Sequence, residues 1–412
     1  MATNPVKFTL TGVVSPTVAG TTFSVTVEVT KDGATLTSYT GTITFTSSDT
    51  AAVLPADYTF SAGDAGMATI PGFELRTVGS QSVTVTDISD GAITDSATTT
   101  VDPGALDSLT VVVASTATAG IAEDATIAAV DAFGNTATGY TGTVALSSTD
   151  GAAVLAGDYT FTGADNGQHT LTGAVEFRTS GSFTLTATDT FAVGINGTSD
   201  DVAVGSALPA TFALTGLPGS TGAGTPLSPQ LTVRDGFNNV VTSYTGTVTF
   251  TSTDGGATLP ADYAFTGGGG DDGVHTFTDE LMLATLGSHT VTVTDTVNGA
   301  LTDTSGTIDV SVSITSLGRN EYHPGADLIM VINGFGFDPT PANNTVTVNA
   351  VAATVLTASV TQLEIRTGVV NASGSVAVSV TVSATNDTIN ADFLLEEASL
   401  ATGGGEPNGA CD

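Results

Sequence analysis

The sequence predicts an all-β protein, built from tandem β-sandwiches arranged as an elongated rod, and three observations predict it. The segment Tyr39–Asp49 recurs as Tyr140–Asp150 and as Tyr244–Asp254, so the chain of 412 residues repeats itself in steps of 101 and 104 residues. Within each copy apolar and hydroxyl side chains alternate, as in Val83–Asp87 (VTVTD), which is the period of a half-buried strand. Clusters of Gly, Asp, Asn and Pro interrupt the alternation at short intervals and mark turns. Each copy is therefore expected to be a set of antiparallel strands.

The strands of each copy follow from this alternation. In the first copy we expect strands over Phe8–Thr11, Phe23–Val29, Ile43–Thr46, Tyr58–Phe60 and Ser82–Thr86, with equivalent strands in the other two copies. About seven such strands in roughly a hundred residues are typical of an immunoglobulin-like β-sandwich. Each copy should fold as one such sandwich.

The joints between domains are expected where the repeated pattern ends, near Asp102–Gly104, Gly205–Ala207 and Val310–Ser311. The predicted domains are residues 1–104 (repeat 1), 105–207 (repeat 2), 208–311 (repeat 3) and 312–400 (the C-terminal segment), followed by a flexible Gly-rich tail over residues 401–412.

A resemblance to a known group is carried by Val130–Asn135 (VDAFGN), Tyr140–Thr143 and Asp165–Thr170 (DNGQHT). These motifs resemble the tandem bacterial immunoglobulin-like repeats of surface adhesins, invasin-type proteins and phage structural proteins. Repeat 3 keeps the first motif as Val233–Asn239, whereas repeat 1 departs from it. The resemblance covers about residues 5–311 and implies the fold, while such modules serve many functions.

The C-terminal segment breaks the repeat. Its residues Pro324–Phe337, followed by Val346–Asn349, resemble the IPT/TIG type of immunoglobulin-like domain, whose Gly-x-x-Phe turn links two strands. The resemblance implies a fourth sandwich. A terminal domain outside the repeat pattern is a natural place for a specialised contact, so we expect an anchor or an adhesive tip, with a further spacer as the alternative.

Charge excludes whole classes of partner. Seven Lys and Arg stand against 41 Asp and Glu, which gives a formal net charge of −34. A field of this sign repels phosphate backbones and anionic headgroups, so we expect no nucleic acid and no direct membrane insertion.

Hydrophobic residues make up 40% of the chain, which favours a folded protein. The single cysteine, Cys411, rules out an internal disulfide and could crosslink subunits.

Motifs of catalysis are not found in the sequence. His169, His275, His289 and His323 are spread over three predicted domains without ligand spacing, and we interpret them as surface or turn histidines. The run Gly267–Gly270 precedes two aspartates that would repel phosphate, which indicates a loop insertion. The sequence therefore predicts that the protein is not an enzyme and requires no cofactor.

Nine recurring aspartates are the candidate ligands for a calcium ion. They occupy three positions in each repeat: Asp49, Asp57 and Asp87; Asp150, Asp158 and Asp189; Asp254, Asp262 and Asp295. Loops at the ends of a sandwich can supply the carboxylate and carbonyl oxygens that Ca²⁺ needs. The alternative is that each aspartate caps its own turn at the end of a strand. The recurring Tyr39, Tyr140 and Tyr244 are interpreted as corner tyrosines that tie a loop to the sandwich.

These features favour a non-enzymatic structural or adhesive protein displayed on an extracellular assembly, because few Lys and Arg and threonine-rich outer faces suit long exposure. The opening residues lack a secretory signal pattern, so we expect a phage virion decoration or fibre protein if Met1 is the natural start. Otherwise we expect a bacterial cell-surface adhesin or an extracellular filament subunit. A carbohydrate-binding accessory module is the other class, and the aromatic content of 6% speaks against it. The expected partners are subunits of a virion or surface filament, copies of the chain itself, or a host-surface glycan.

Overall fold

The computed structural model describes residues 5–321, 328–368 and 374–395. Regular structure in these ranges is β-strand, apart from three 3₁₀ turns at Ala62–Asp64, Gly163–Asp165 and Pro341–Asn343. This confirms the all-β prediction for the described part of the chain. The described ranges contain no helix long and apolar enough to cross a membrane.

Two compact units divide the chain, Met1–Gly205 and Ser206–Asp412, and each is described by itself. The elongated rod and the domain boundaries stay predictions. The predicted tail with Cys411, and His323, lie outside the described residues.

Repeat 1 contains two sheets around one apolar cluster. Its strands are β1 (Lys7–Thr11), β2 (Thr17–Val18), β3 (Thr22–Lys31), β4 (Ala34–Thr35), β5 (Thr42–Ser47), β6 (Tyr58–Thr59), β7 (Met67–Glu74), β8 (Gly79–Asp87) and β9 (Thr94–Asp102). One sheet holds β1, β3, β4 and β7, and the other has the order β2-β9-β8-β5-β6. Alternation in β5 and β8 buries Ile43, Phe45 and Val85 between the sheets and keeps the threonines on the outer face. The predicted strand Tyr58–Phe60 is shorter in the structure, where it ends at Thr59, and the side chain of Phe60 is buried in the core.

Repeat 2 has the same plan with more, shorter strands. They are β10 (Leu106–Val113), β11 (Thr116–Thr118), β12 (Ala122–Asp131), β13 (Thr143–Ser148), β14 (Val154–Leu155), β15 (Tyr159–Thr160), β16 (Gln168–Glu176), β17 (Gly181–Phe183), β18 (Leu185–Asp189), β19 (Asn196–Thr198) and β20 (Val202–Gly205). The sheet orders are β10-β12-β16-β14, β15-β13-β18-β19 and β11-β20-β17. Its core includes Ile127, Phe161, Phe177 and Leu185.

Repeat 3 follows repeat 2 closely. Its strands are β21 (Pro209–Thr215), β22 (Ser220–Gly222), β23 (Pro226–Leu227), β24 (Gln230–Asp235), β25 (Thr247–Ser252), β26 (Tyr263–Ala264), β27 (Val274–Thr276), β28 (Leu281–Met282), β29 (Gly287–His289), β30 (Val291–Asp295), β31 (Thr302–Thr304) and β32 (Ile308–Ser311). The sheet orders are β21-β24-β27, β26-β25-β30-β31, β22-β32-β29 and β23-β28. One apolar cluster, which includes Leu231, Phe277 and Val293, fills the space between them.

The C-terminal segment differs in topology. Its strands are β33 (Ser313–Glu321), β34 (Leu328–Phe335), β35 (Asn344–Val348), β36 (Val351–Ala358), β37 (Gln362–Thr367), β38 (Gly374–Val382) and β39 (Asp387–Leu395). They pair in the continuous order β33-β34-β37-β36-β35-β38-β39. Alternation in β34 buries Leu328, Met330 and Ile332 in a cluster of their own. The IPT/TIG identity of this segment stays a prediction.

An aspartate closes the edge between the two sheets in repeats 1 and 3. The backbone N–H of Leu10 in β1 donates to Oδ2 of Asp95 in β9 at 2.7 Å, and that of Leu214 donates to Oδ2 of Asp303 at 2.7 Å. Repeat 2 carries Gly197 at this position, and a Cβ there would overlap the carbonyl of Leu109. Each edge strand therefore has one N–H group that is not available for pairing with another chain.

Candidate functional site

The structure divides the nine predicted aspartates into two kinds. Six are buried, with 3–6% of their surface exposed: Asp49, Asp87, Asp150, Asp189, Asp254 and Asp295. The other three, Asp57, Asp158 and Asp262, are exposed. In the described ranges no three His, Cys, Asp or Glu side chains lie close enough together to hold a metal ion. The structure therefore does not bring the nine aspartates together, and the calcium interpretation stays a prediction.

Asp49 caps the end of β5 and ties it to the chain after β7. Its Oδ1 accepts from the N–H of Ala51 at 2.9 Å and the hydroxyl of Thr77 at 2.7 Å, while Oδ2 accepts from the N–H groups of Arg76 at 2.6 Å and Thr77 at 3.0 Å. Burial alone would raise the pKa of Asp49, but these hydrogen bonds outweigh it and hold the pKa below its ordinary value. Asp150 and Asp254 accept from the corresponding groups of repeats 2 and 3.

The second group of buried aspartates pairs with the recurring tyrosines. The hydroxyl of Tyr140 donates to Oδ2 of Asp189 at 2.6 Å, while Oδ1 of Asp189 accepts from the N–H groups of Phe191 at 2.8 Å and Ala192 at 2.7 Å. The pairs Tyr39–Asp87 and Tyr244–Asp295 have the same arrangement. Burial and the neighbouring carboxylate raise the pKa of Tyr140 well above its ordinary value. In repeat 2 the expected corner tyrosine, Tyr140, thus fastens the loop before β13 to the turn after β18.

The Tyr-Thr-Gly motif is explained by this pair. A Cβ on Gly142 would overlap the hydroxyl of Tyr140 and Oδ2 of Asp189, and Gly41 and Gly246 meet the same obstruction from Tyr39 and Tyr244. A side chain at this position would separate the hydroxyl from the carboxylate.

The turn that follows β12 in repeat 2 forms the joint with repeat 1. Oδ1 of Asp131 accepts from the N–H groups of Phe133 and Asn135, both at 2.9 Å, which closes the turn, and Gly134 adopts a φ of +83° within it. Oδ2 accepts from the N–H of Gly104 at 2.8 Å and from Nδ2 of Asn135 at 2.8 Å. A single buried carboxylate thus fixes the turn, the amide of Asn135 and the linker between the repeats.

Asn135 and Phe133 extend from this loop onto repeat 1. Nδ2 of Asn135 donates to the carbonyl of Arg76 at 2.7 Å, and the N–H of Val78 donates to Oδ1 of Asn135 at 3.2 Å. The ring of Phe133 lies where a Cβ of Gly20 would be, and the guanidinium carbon of Arg76 lies 5.3 Å from its centre. Repeats 1 and 2 are therefore connected by directional hydrogen bonds as well as by apolar contact.

Repeat 3 builds the same loop around Asp235, which accepts from the N–H groups of Phe237, Asn239 and Ala207 at 2.8–2.9 Å. The contact between repeat 3 and the C-terminal segment uses an aromatic ring in the same way, since Phe335 lies where a Cβ of Gly224 would be. The hydroxyl of Ser313 also donates to the carbonyl of Ala223 at 2.5 Å.

The histidines of repeats 2 and 3 belong to local clusters on the sheet. Nδ1 of His169 lies 2.9 Å from Oδ1 of Asp165, and its ring stacks on Tyr159 with 4.0 Å between centroids. His275 repeats this arrangement with Asp271 and Tyr263. In His289, Nε2 lies 2.8 Å from the carbonyl of Thr285. These three histidines have structural partners, and the (i, i+4) spacing of the Asp–His pairs is the signal by which the sequence could have shown it.

Sequence reasoning missed two features of the repeats. The tyrosine and aspartate of each pair were considered separately, although they recur at nearly constant separations of 48, 49 and 51 residues. Nothing in the strand alternation marks Phe191, which is 99% exposed on the turn that Asp189 caps.

Comparison with known proteins gives distant likenesses in structure. No protein-family model and no curated protein sequence matches the chain. The bacterial integrin-binding protein invasin has 16% identity and a TM-score of 0.38, with 95% of this chain and 79% of invasin covered. FdeC, an adhesin of Escherichia coli, has 18% identity and a TM-score of 0.35, with coverage of 76% and 100%. The S-layer protein rSbsC has 16% identity and a TM-score of 0.26, with coverage of 95% and 52%. The strand pairing described above, rather than these likenesses, defines the fold.

Proposed function

We propose that this chain is a non-enzymatic structural and adhesive protein displayed on an extracellular assembly, in which the repeats are spacers and the C-terminal segment makes a specialised contact. The joint between repeats 1 and 2 is the observation that carries the proposal. Asn135 bonds to two backbone groups of repeat 1, and Asp131 holds both Asn135 and the linker at Gly104. A spacer needs joints that resist bending, and directional hydrogen bonds to backbone supply that resistance.

The arrangement of the carboxylates supports the absence of catalysis. Both oxygens of Asp49, Asp131 and Asp189 are occupied by hydrogen bonds within the fold, so that they are poorly placed as bases or nucleophiles. A cavity of about 510 Å³ beside the joint is lined by Pro103, Gly104, Leu106 and residues 137–142. Of these lining residues only Tyr140 is titratable, and its hydroxyl is bonded to Asp189.

The assembly that we propose is a phage particle, and the bacterial cell surface is the alternative. The motifs quoted above resemble repeats found in both settings. Antibodies against the full chain, used with gold-labelled electron microscopy on purified particles and on intact cells, separate the two. Label on the outside of either assembly supports the proposal, whereas label confined to the cytosol contradicts it.

The role of the C-terminal segment is tested by deleting residues 312–412. Loss of the protein from its assembly would identify an anchor, and normal incorporation with loss of attachment to the host or neighbouring cell would identify a tip. Unchanged incorporation together with unchanged attachment would reduce the segment to a spacer.

A further inference from the structure

A row of polar side chains crosses three neighbouring strands of the C-terminal segment. Asn333 in β34 lies opposite Ser316 in β33 and opposite Gln362 in β37. Nδ2 of Asn333 donates to Oγ of Ser316 at 3.0 Å, and Nε2 of Gln362 donates to Oδ1 of Asn333 at 2.9 Å. A primary amide has two N–H donors and an oxygen with two lone pairs. The row therefore fixes the orientation of both amides and uses only part of their hydrogen-bonding capacity.

This row borders a cavity of about 350 Å³, which is lined by Thr315, Asn333, Gly334, Phe335, Ser359, Thr361 and Gln362. Ligand pockets measure about 300–1,000 Å³, so this cavity has the size for a small ligand. Five of its seven lining residues carry a hydroxyl or an amide. Phe335 is also in the lining, and its ring packs against repeat 3 at Gly224.

The turn that forms the rim of the cavity is fastened to the sheet. The N–H of Gly334 donates to the carbonyl of Thr361 at 2.9 Å, and the N–H of Ser359 donates to the carbonyl of Gln362 at 2.8 Å. The N–H of Phe337 donates to the carbonyl of Val360 at 3.3 Å. A rim held by its backbone loses little conformational entropy when a ligand binds.

The lining carries no ionisable side chain, in a protein whose formal net charge is −34. Glu364, two residue pairs from Gln362 along β37, lies outside the lining, and its Oε2 accepts from the hydroxyl of Thr357 at 3.3 Å. Anionic ligands are repelled by this carboxylate and by the field of the whole chain. The ligand class that fits this polar, uncharged lining is a neutral molecule with several hydroxyl groups.

We propose that this cavity binds one ring of a neutral sugar, with Asn333 and Gln362 bonding to its hydroxyl groups. The inference rests on the proposed adhesive function and gives it a ligand class. Amide side chains supply a donor and an acceptor side by side, which matches neighbouring hydroxyl groups of a pyranose.

Saturation-transfer difference NMR on the full chain tests the proposal. The probes are the methyl glycosides of galactose, glucose and mannose together with N-acetylglucosamine, and N-acetylneuraminic acid is the anionic comparison. We expect saturation transfer to at least one neutral sugar and none to N-acetylneuraminic acid. Asn333→Asp and Gln362→Ala should each weaken binding about three- to tenfold, as expected for one lost hydrogen bond.

Gln168→Ala is the matched control, because Gln168 is an exposed strand residue of repeat 2, and its binding should equal that of the unchanged chain. Thermal melts confirm that each variant is folded, and Gln362 is exposed, so that its truncation leaves the core intact. The inference is overturned if no neutral sugar binds, if N-acetylneuraminic acid binds equally well, or if both variants bind like the control. Display of the protein on its assembly is measured separately, so either proposal can fail without the other.

Discussion

The hydroxyl of Tyr140 donates a hydrogen bond of 2.6 Å to Oδ2 of Asp189, and both side chains are less than a tenth exposed. The bond joins the loop before β13 to the turn after β18, and the same pair occurs in all three repeats. Oδ1 of Asp189 also accepts from the N–H groups of Phe191 and Ala192. One carboxylate therefore connects two segments that are distant in sequence.

Replacing Tyr140 with Phe should destabilise repeat 2 by about 1–3 kcal/mol, because a buried carboxylate loses a donor without gaining another partner. Hydrogen exchange of repeat 2 amides measures the effect repeat by repeat. The double variant Tyr140→Phe with Asp189→Asn should cost less than the sum of the single changes, because the two residues act as a pair. If the amides of repeat 2 exchange at the same rate in Tyr140→Phe, the Tyr140–Asp189 hydrogen bond does not contribute to the stability of repeat 2.

Gly142→Ala should destabilise the same loop by about 1–3 kcal/mol, since the new methyl group would overlap the Tyr140 hydroxyl and the Asp189 carboxylate. Gly139→Ala is the matched control, because a Cβ there has no neighbour within 4 Å. The free energy of unfolding of the control should differ from that of the unchanged protein by less than about 0.5 kcal/mol. Denaturant titration followed by tyrosine fluorescence compares the two, and equal effects would refute the steric explanation.

Stability should fall in acid. Burial raises the pKa of Asp131 and Asp189, but the hydrogen bonds that they accept outweigh it, and the pKa of each lies below its ordinary value. Backbone and side-chain hydrogen bonds from Thr162 lower the pKa of Asp165 to about 2. A lowered folded pKa contributes stability that is present above the unfolded pKa of about 4 and is lost as the pH falls through the folded value.

Thermal melts between pH 7 and pH 2, in high salt to screen the exposed charges, should therefore show the midpoint decreasing below about pH 4. In alkali the sign is opposite, because the raised pKa of Tyr140 contributes stability below about pH 10 that is lost as the pH rises through the folded value. A midpoint that stays constant down to pH 2 would contradict the assignment of these carboxylates.

Asn135→Ala should loosen the joint between repeats 1 and 2 while both sandwiches stay folded. The N–H of Val78 loses its acceptor, whereas the N–H of Gly104 keeps Asp131. Hydrogen exchange should therefore accelerate at Val78 and change little at Gly104. Asn196→Ala, at an exposed strand position, is the control and should leave both amides unchanged. Slow exchange at Val78 in the Asn135 variant would show that Asn135 does not hold the joint.

Calcium should not raise the melting temperature by binding at the buried turn aspartates represented by Asp49. Each oxygen of Asp49 accepts two hydrogen bonds, so binding a cation would require breaking bonds that the turn needs. Melts in millimolar CaCl₂ and in chelator compare the two conditions. A rise in the melting temperature with calcium would instead support the calcium interpretation of the nine aspartates.

The repeats and most strands could be predicted from the sequence, because a period of two residues fixes which side chains enter the core, as in β5 and β8. The turn around Asp131 was visible as a motif, since its contacts to Phe133 and Asn135 are local. Its role as a joint was not visible, because the partner of Asn135 is the backbone of Arg76, 59 residues earlier, and a carbonyl leaves no signature in sequence. For the same reason the row of Ser316, Asn333 and Gln362 appears only once the strands are paired.

The edge closed by Asp95 in repeat 1 has a consequence for how such a chain reaches its native state. Neighbouring modules with nearly the same strands are prone to exchange them during folding. If β19 of repeat 2 took the place of β9, Gly197 would lie opposite Leu10 in place of Asp95. The N–H of Leu10 would then have no carboxylate acceptor. In the reverse exchange, Asp95 would enter a space at Leu109 where only a glycine fits. Repeats 1 and 3 share the aspartate but are separated by repeat 2, so modules that are adjacent in the chain are mismatched at this edge and strand swapping between them is disfavoured.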